Sequence, residues 1–178
     1  MAITNWIALF RGINVGGNNI LPMKDLRALL EKLGCDDVKT YIQSGNVVFT
    51  HSLNNAAPLA TLIGKAVADA HGFKPKVLLL TVDELSDVVE MNPFPNAVEN
   101  PKSLSVFFLA SEPVSAAFDA MNDLKADTES FSLLGRAFFL HAPDGFGRSR
   151  LAAKVERLLG VSATARNWRT VTKILELA

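Results

Sequence analysis

Asn5–Arg11, NWIALFR, is a short and almost continuous apolar run, and Gly12–Leu21, GINVGGNNIL, follows it as a loop rich in glycine and asparagine. An apolar run of this length, closed by turn residues, predicts a central strand buried on both faces. Pro22 then stands where proline favours the start of a helix, and apolar residues recur at helical spacing until Gly34. The rest of the architecture is predicted outward from this strand, polar loop and helix.

The next segments complete a β-α-β-β-α-β order. The turn at 43–46, QSGN, separates two short strands and predicts a hairpin. Thr81 and Glu84 have the spacing of a capping box, which predicts a helix running to about Met91. The remaining predicted segments are the strands Val38–Ile42, Val47–His51 and Lys76–Leu80 and the helix Ala56–His71. This order is that of a ferredoxin-like unit.

The same order recurs after a proline-rich stretch at Asn92–Pro101. The predicted segments are the strands Leu104–Ala110, Ser130–Leu134, Ala137–His141 and Val161–Arg166 and the helices Pro113–Asn122, Ser149–Leu159 and Trp168–Leu177. We therefore predict an α+β protein of two ferredoxin-like (βαββαβ) halves, each followed by a helix. The expected division is residues 1–92, a linker at 93–102, and residues 103–178. The alternative is one α+β sheet with every helix on one face.

Composition excludes several classes of protein. The 178 residues are 49% hydrophobic and 20% charged, with a net charge of zero. This balance excludes a disordered polyelectrolyte and a globally basic nucleic-acid coat. The single cysteine, Cys35, excludes an intramolecular disulfide and fits a reducing compartment. With neither an apolar run of about 18–20 residues nor a basic leader, the expected location is the cytoplasm and no membrane partner is predicted.

Topology places two polar loops at one end of the first predicted sheet. In a 4-1-3-2 sheet, the loop after the first strand and the hairpin between the second and third lie at the same end. Glycine amides and a forked guanidinium there suit a phosphate or carboxylate. The candidate ligand-binding residues are Arg11, Asn14, Gly16, Gly17, Asn18, Gln43, Ser44 and Asn46. The alternative is that these residues only shape turns, with Arg11 in a surface ion pair.

A second candidate cluster lies in the basic C-terminal segment. Gly145–Ala178 carries seven basic side chains and two acidic ones. The predicted helix start at 149 lies at the same end as the end of the last strand, which brings arginines to a helix N-terminus. The candidates are Arg148, Ser149, Arg166 and Asn167, contributing to the ligand site if the halves close together. The alternative is that the arginines pair with the acidic segment Thr81–Asp144. Trp168 is expected in the core rather than stacked on a base, and Asn167 is expected to cap the last helix.

Catalytic and metal-binding patterns are absent from the sequence. His51, His71 and His141 are isolated, and no pair of them has metal-ligand spacing. Neither a nucleophile elbow nor a CxxC motif is present, and no acid or base stands out. No metal site is predicted, and the sequence names neither a cofactor nor a catalytic residue.

Three motifs carry a family resemblance. They are Phe10–Gly17 (FRGINVGG), Thr40–Phe49 (TYIQSGNVVF) and Arg166–Thr170 (RNWRT). Together they resemble an uncharacterised, mainly bacterial family, Domain of Unknown Function sixteen-ninety-seven. The resemblance implies an α+β protein with ferredoxin-like halves. It brings no established activity, substrate or cofactor, and so no catalytic residue.

The motifs of the resemblance coincide with the polar loops that topology places together, which favours a shared ligand site. The leading expectation is a protein that binds a small anionic ligand, phosphate- or nucleotide-like. The alternatives are a nucleic-acid-binding module and an interaction module without a ligand. Zero net charge and the lack of an RNP-like motif argue against nucleic acid.

Overall fold

The first half of the chain forms a four-stranded sheet with two crossing helices and a third helix after it. The structure, a computed structural model, describes residues 2–178. The elements of this half are β1 (Thr4–Arg11), α1 (Met23–Lys32), β2 (Asp36–Tyr41), β3 (Asn46–His51), α2 (Ala56–His71), β4 (Lys76–Thr81) and α3 (Val82–Glu90).

The second half repeats the order of strands. Its elements are β5 (Leu104–Leu109), α4 (Phe118–Leu124), β6 (Ser130–Leu134), β7 (Ala137–His141), α5 (Val155–Leu159), β8 (Ala163–Asn167) and α6 (Trp168–Leu177). Every predicted strand is present.

Each half has its own antiparallel sheet, and the two sheets have the same strand order. The first runs β2-β3-β1-β4 and the second β6-β7-β5-β8. In each half this is the 4-1-3-2 order of a ferredoxin-like unit, which confirms the predicted α+β fold and its repeat. The alternative of a single sheet is wrong.

The central strand of the first sheet is buried on both faces, as its sequence predicts. Trp6, Ala8 and Phe10 join the core cluster formed with α1 and α2. Ile7 and Leu9 point to the opposite face and are also buried. An almost continuous apolar run is therefore required in β1, because neither face meets water.

Two predicted helices of the second half differ in the structure. The prediction Pro113–Asn122 is wrong at its start, because the helix begins only at Phe118. The backbone N–H of Ala117 donates to Leu158 O at 3.0 Å, and this contact with a distant segment replaces the first helical turn. The irregular segment before α4 is thus held by a tertiary contact rather than by local propensity.

The predicted helix Ser149–Leu159 is also wrong. A 3-10 turn at Ala152–Lys154 precedes the five-residue α5, and φ of −123° at Lys154 separates the two. Leu151 and Val155 are nevertheless buried, together with Leu159. Apolar spacing alone could not distinguish these short turns from one long helix, because both bury the same side chains.

The chain divides into two compact units. One runs to Ser86 and includes Lys173–Ala178, and the other is Asp87–Thr172. The first sheet lies within the first unit and the second sheet within the second. The proline-rich stretch contains a 3-10 turn, Pro95–Glu99, whose Ala97 is buried.

Candidate functional site

The loop after β1, residues 12–21, folds back on itself as a small hairpin. The N–H of Asn18 donates to Val15 O and that of Asn14 to Asn19 O, both at 3.0 Å. Gly16 and Gly17 form the tip with φ of +58° and +76°. Two successive left-handed residues turn the chain at low cost only when they lack a β-carbon.

Asn14 fastens this loop to the hairpin between β2 and β3. Its Oδ1 accepts the N–H of Leu21 at 2.8 Å, while its Nδ2 donates to Leu21 O at 2.9 Å and to Gln43 O at 2.8 Å. The structure thus brings together the two loops that topology predicted to be neighbours. Both amide donors of Asn14 are used in these hydrogen bonds, so its side chain joins the two loops.

The turn at residues 42–45 depends on a glycine and a buried asparagine. Gly45 has φ of +77°, and a β-carbon there would lie 2.6 Å from Phe10 Cβ and from Ile13 Cδ1. Asn46 is fully buried, and its Nδ2 donates to Tyr41 O and Ser44 Oγ, each at 3.0 Å. Asn46 therefore shapes the turn from inside.

Two basic residues lie beside the two loops that Asn14 joins. Arg11, the last residue of β1, pairs in register with Lys76, the first residue of β4. Residues directly opposite in an antiparallel pair point to the same face, with β-carbons about 4.5–5.5 Å apart. Lys76 was missed from the sequence, although the predicted 4-1 strand adjacency carried the signal that the start of β4 lies beside the end of β1.

The remaining candidates of the first half form the surface of the loops. Asn18, Gln43 and Ser44 are exposed. Close to them in sequence are three exposed apolar side chains that the sequence analysis does not identify as candidates. Val15 is 66% exposed, Ile20 56% and Ile42 51%.

In the second cluster, two of the candidates serve as caps. Ser149 is buried and its Oγ accepts the N–H of Ala152 at 2.9 Å. Asn167 accepts the N–H of Thr170 at 2.9 Å through Oδ1 and so caps α6, as predicted. Because no helix begins at Ser149, the predicted helix N-terminus beside the arginines does not exist.

The arginines of this cluster differ in burial. Arg148 is exposed, whereas Arg166 is half-buried and its Nη1 donates to Ala165 O at 2.9 Å. Burial lowers the pKa of Arg166 to about 10, so its guanidinium remains charged at neutral pH. The adjacent Trp168 is buried, which confirms its place in the core.

The thiol and one imidazole of the first half are structural. Burial, with a smaller contribution from the Asp36 carboxylate, raises the pKa of the Cys35 thiol to about 11. Its thiolate is therefore scarce at neutral pH, and Cys35 is a poor nucleophile. The ring of His51 lies between Leu33 O at 3.2 Å and the N–H of Leu53 at 2.9 Å. Both ring nitrogens of His51 are thus engaged by the backbone.

Two kinds of feature are missing from residues 2–178. They contain no group of three or more His, Cys, Asp or Glu side chains placed to hold a metal ion. None of their helices has both the length and the apolar composition to cross a bilayer.

Two ferredoxin-like sheets, with polar loops locked together at one end of the first, define a two-half α+β protein. The chain belongs to the family described as Protein of unknown function (DUF1697), whose profile matches residues 3–139. The matched range includes both loops that Asn14 joins, residues 12–21 and 42–45, and ends before Arg148.

A solved structure resembles the chain over almost its full length. It is that of the conserved bacterial protein SP0830 from Streptococcus pneumoniae, with 26% sequence identity and a TM-score of 0.75 over 99% of each chain. No curated protein sequence matches the chain.

Proposed function

We propose that this protein binds a small anionic ligand, phosphate- or nucleotide-like, at the loop cluster of its first half. The observation that carries the proposal is the pairing of Arg11 with Lys76 beside the loops that Asn14 fastens together. Two basic side chains on the same face of neighbouring strands together present positive charge and donors that suit an anion.

Backbone amides support the same ligand class. Gly16 and Gly17 form the tip of the loop, and neither N–H takes part in the hydrogen bonds described within residues 2–178. A β-carbon at position 17 would meet no atom within 4 Å. Exposed amides on a glycine tip can approach an anion closely, as they do in phosphate-binding loops. Gln43 and Ser44 add neutral donors on the neighbouring turn.

The sheets give little support to the nucleic-acid alternative. Ferredoxin-like proteins that bind RNA stack its bases on aromatic side chains of an exposed sheet face. Here the aromatic residues of the inner strands are all at most 5% exposed. They are Trp6, Phe10, Phe49, Phe107, Phe108, Phe138 and Phe139.

An interaction module is the second candidate, and the exposed apolar side chains of the loops favour it. Val15, Ile20 and Ile42 occur within or beside the loops that carry the polar groups. Pairing through the edge strand β2 is disfavoured, because Asp36 carries an exposed charge and a bulge follows it.

The test is ligand binding by the full chain, measured by thermal shift and then calorimetry. The panel contains inorganic phosphate, nucleotides, sugar phosphates and coenzyme A. Lys76→Ala removes one of the paired cations, and Arg11→Lys keeps charge but loses the guanidinium fork. Arg27→Ala is the matched control, because Arg27 is an exposed arginine of the same half that contacts Thr40.

Loss of a charge-assisted hydrogen bond costs about 1.5–3 kcal/mol, so each test variant is expected to weaken binding roughly 10- to 100-fold. Arg27→Ala is expected to bind as the unaltered protein does. Equal affinity in Lys76→Ala and Arg11→Lys, or an equal loss in Arg27→Ala, contradicts the proposal. The absence of any ligand across the panel favours the interaction module instead.

A further inference from the structure

The second unit contains a groove beside α4, the turn after it and β6. Its volume of about 420 Å³ falls within the usual range of small-ligand sites. The lining residues are Phe118, Asn122, Lys125, Glu129, Ser130 and Phe131. None of these belongs to either candidate cluster described above.

One wall of the groove is a supported aromatic face. Phe118 is 45% exposed, and its ring lies parallel to that of Phe131, with 1° between the planes and 6.5 Å between centroids. Phe131 in turn stacks on Phe138, which is fully buried, at 5.5 Å. The row of rings thus runs from the core to an accessible ring at the surface. The face of such a ring attracts planar cations.

A buried carboxylate opens into the same groove. Glu129 is only 5% exposed, and its Oε2 accepts the N–H of Ala126 at 3.0 Å. Its Oε1 makes no hydrogen bond within residues 2–178, and no buried polar side-chain atom there lacks a partner. Oε1 therefore keeps some exposure, and Glu129 is one of the residues that line the groove. A largely buried carboxylate with an acceptor that the protein does not use favours a donor that carries positive charge.

The charges around the groove favour a cation. Lys125 is the cation of the lining, and its Nζ donates to the backbone oxygen of Glu129 at 3.2 Å. Its ammonium is thus held at the backbone. Along residues 112–129 five carboxylates accompany this one lysine; they are Glu112, Asp119, Asp123, Asp127 and Glu129. This excess of acidic residues along the segment that forms the groove favours a cationic ligand over an anionic one.

We infer that this groove binds a guanidinium group, which stacks on Phe118 and donates to Oε1 of Glu129. A guanidinium is planar and weakly hydrated, so it can lie on an aromatic face while its edge donates to a carboxylate. An alkylammonium carries the same charge but has no plane to stack. The group has two sources, a free small molecule or an arginine side chain of a peptide, and both present the same chemistry.

Calorimetry on the full chain tests this with three probes. Agmatine supplies a small guanidinium, putrescine is its matched diamine, and a short capped peptide with one arginine supplies the second source. Agmatine or the peptide is expected to bind at least about tenfold more tightly than putrescine, as a stacked, hydrogen-bonded guanidinium should. The tighter of the two guanidinium probes identifies the source.

Four variants locate the binding. Glu129→Gln keeps an oxygen for Ala126 but loses the anionic acceptor, and it is expected to weaken guanidinium binding at least about tenfold. Phe118→Ala is expected to weaken it about three- to fivefold. Lys125→Met removes a repulsive charge and is expected to strengthen it. Phe146→Ala is the matched control, because Phe146 is another partly exposed phenylalanine of this unit and lies outside the groove.

Several outcomes overturn the inference. They are equal binding of putrescine and agmatine, no binding of either guanidinium probe at millimolar concentration, or unchanged affinity in Phe118→Ala. Because Phe118 is exposed, that variant remains informative even where Glu129→Gln folds poorly. Weaker guanidinium binding in Lys125→Met would contradict the repulsive role of Lys125 and would also overturn it.

Discussion

The backbone N–H of Phe10 donates to Gly45 O at 2.8 Å, and a β-carbon on Gly45 would lie 2.6 Å from Phe10 Cβ. The C-terminal end of β1 and the β2–β3 hairpin are therefore in direct backbone contact. This close approach of Gly45 to Phe10 lies directly beneath the polar loops of the first half. It leaves no room for a side chain at position 45.

Gly45→Ala is expected to destabilise the protein by about 2–4 kcal/mol, since it adds a clash to the cost of a left-handed backbone. Gly17→Ala is the matched control. Gly17 has nearly the same φ, +76°, but a β-carbon there meets nothing within 4 Å. Gly17→Ala should therefore lower the free energy of unfolding by only about 1 kcal/mol. Urea unfolding measures both, and equal losses in the two variants would show that packing at position 45 does not matter.

Removal of the Asn14 side chain is expected to release both polar loops. Asn14 has φ of +53°, so Asn14→Gly keeps the backbone conformation favourable while deleting three hydrogen bonds. We expect a loss of about 1–3 kcal/mol and faster hydrogen exchange at the amide of Leu21, which donates to Asn14. An unchanged exchange rate at Leu21 would mean that the hydrogen bonds of Asn14 do not hold the loop in solution.

The buried thiol is expected to make stability fall in alkaline solution. The pKa of Cys35 rises from 9.0 unfolded to about 11 folded, so between these values the unfolded chain has lost a proton that the folded protein keeps. Unfolding is then favoured as pH increases, by about 2–3 kcal/mol across the window. Denaturation at pH 8 and pH 11 should show this fall beyond that of Cys35→Ala. Parallel pH profiles for the two proteins would refute the prediction.

Asn167 is expected to act on stability rather than on binding. Its Oδ1 caps α6 through the N–H of Thr170, so Asn167→Ala should lower the free energy of unfolding by about 1 kcal/mol. Asn167→Ser keeps a capping oxygen and should recover most of that loss. If the serine variant is as unstable as the alanine variant, the cap is not the reason that asparagine is required there.

Local signals predicted the fold well where one segment determines its own structure. The capping box of Thr81 and Glu84 is present, with Thr81 N donating to Glu84 Oε2 at 2.7 Å and Glu84 N to Thr81 Oγ1 at 3.2 Å. Gly72 ends α2 with φ of +77°, immediately after the predicted helix Ala56–His71. The proximity of the two polar loops followed from topology, because strand order alone decides which loops share an end.

Tertiary contacts decided what the sequence could not. No helix begins at Pro113, because the N–H of Ala117 donates to Leu158 O, a residue distant in sequence. The loop-supporting hydrogen bonds of Asn14 and Asn46 could not be predicted, since an amide that supports a loop looks the same in sequence as one that faces a ligand. The predicted 4-1 adjacency places the start of β4 beside the end of β1, but the register that puts Lys76 opposite Arg11 is known only from the paired strands.

The two tryptophans of this chain are divided between its two units. Trp6 is buried in the core of the first, where its Nε1 donates to Leu53 O at 3.0 Å, and Trp168 is buried in the second. Each unit therefore has its own intrinsic fluorophore. Replacement of either tryptophan by phenylalanine leaves an intact chain that reports on the other unit alone. Whether the two units melt as one cooperative block or separately can thus be observed without dividing the protein.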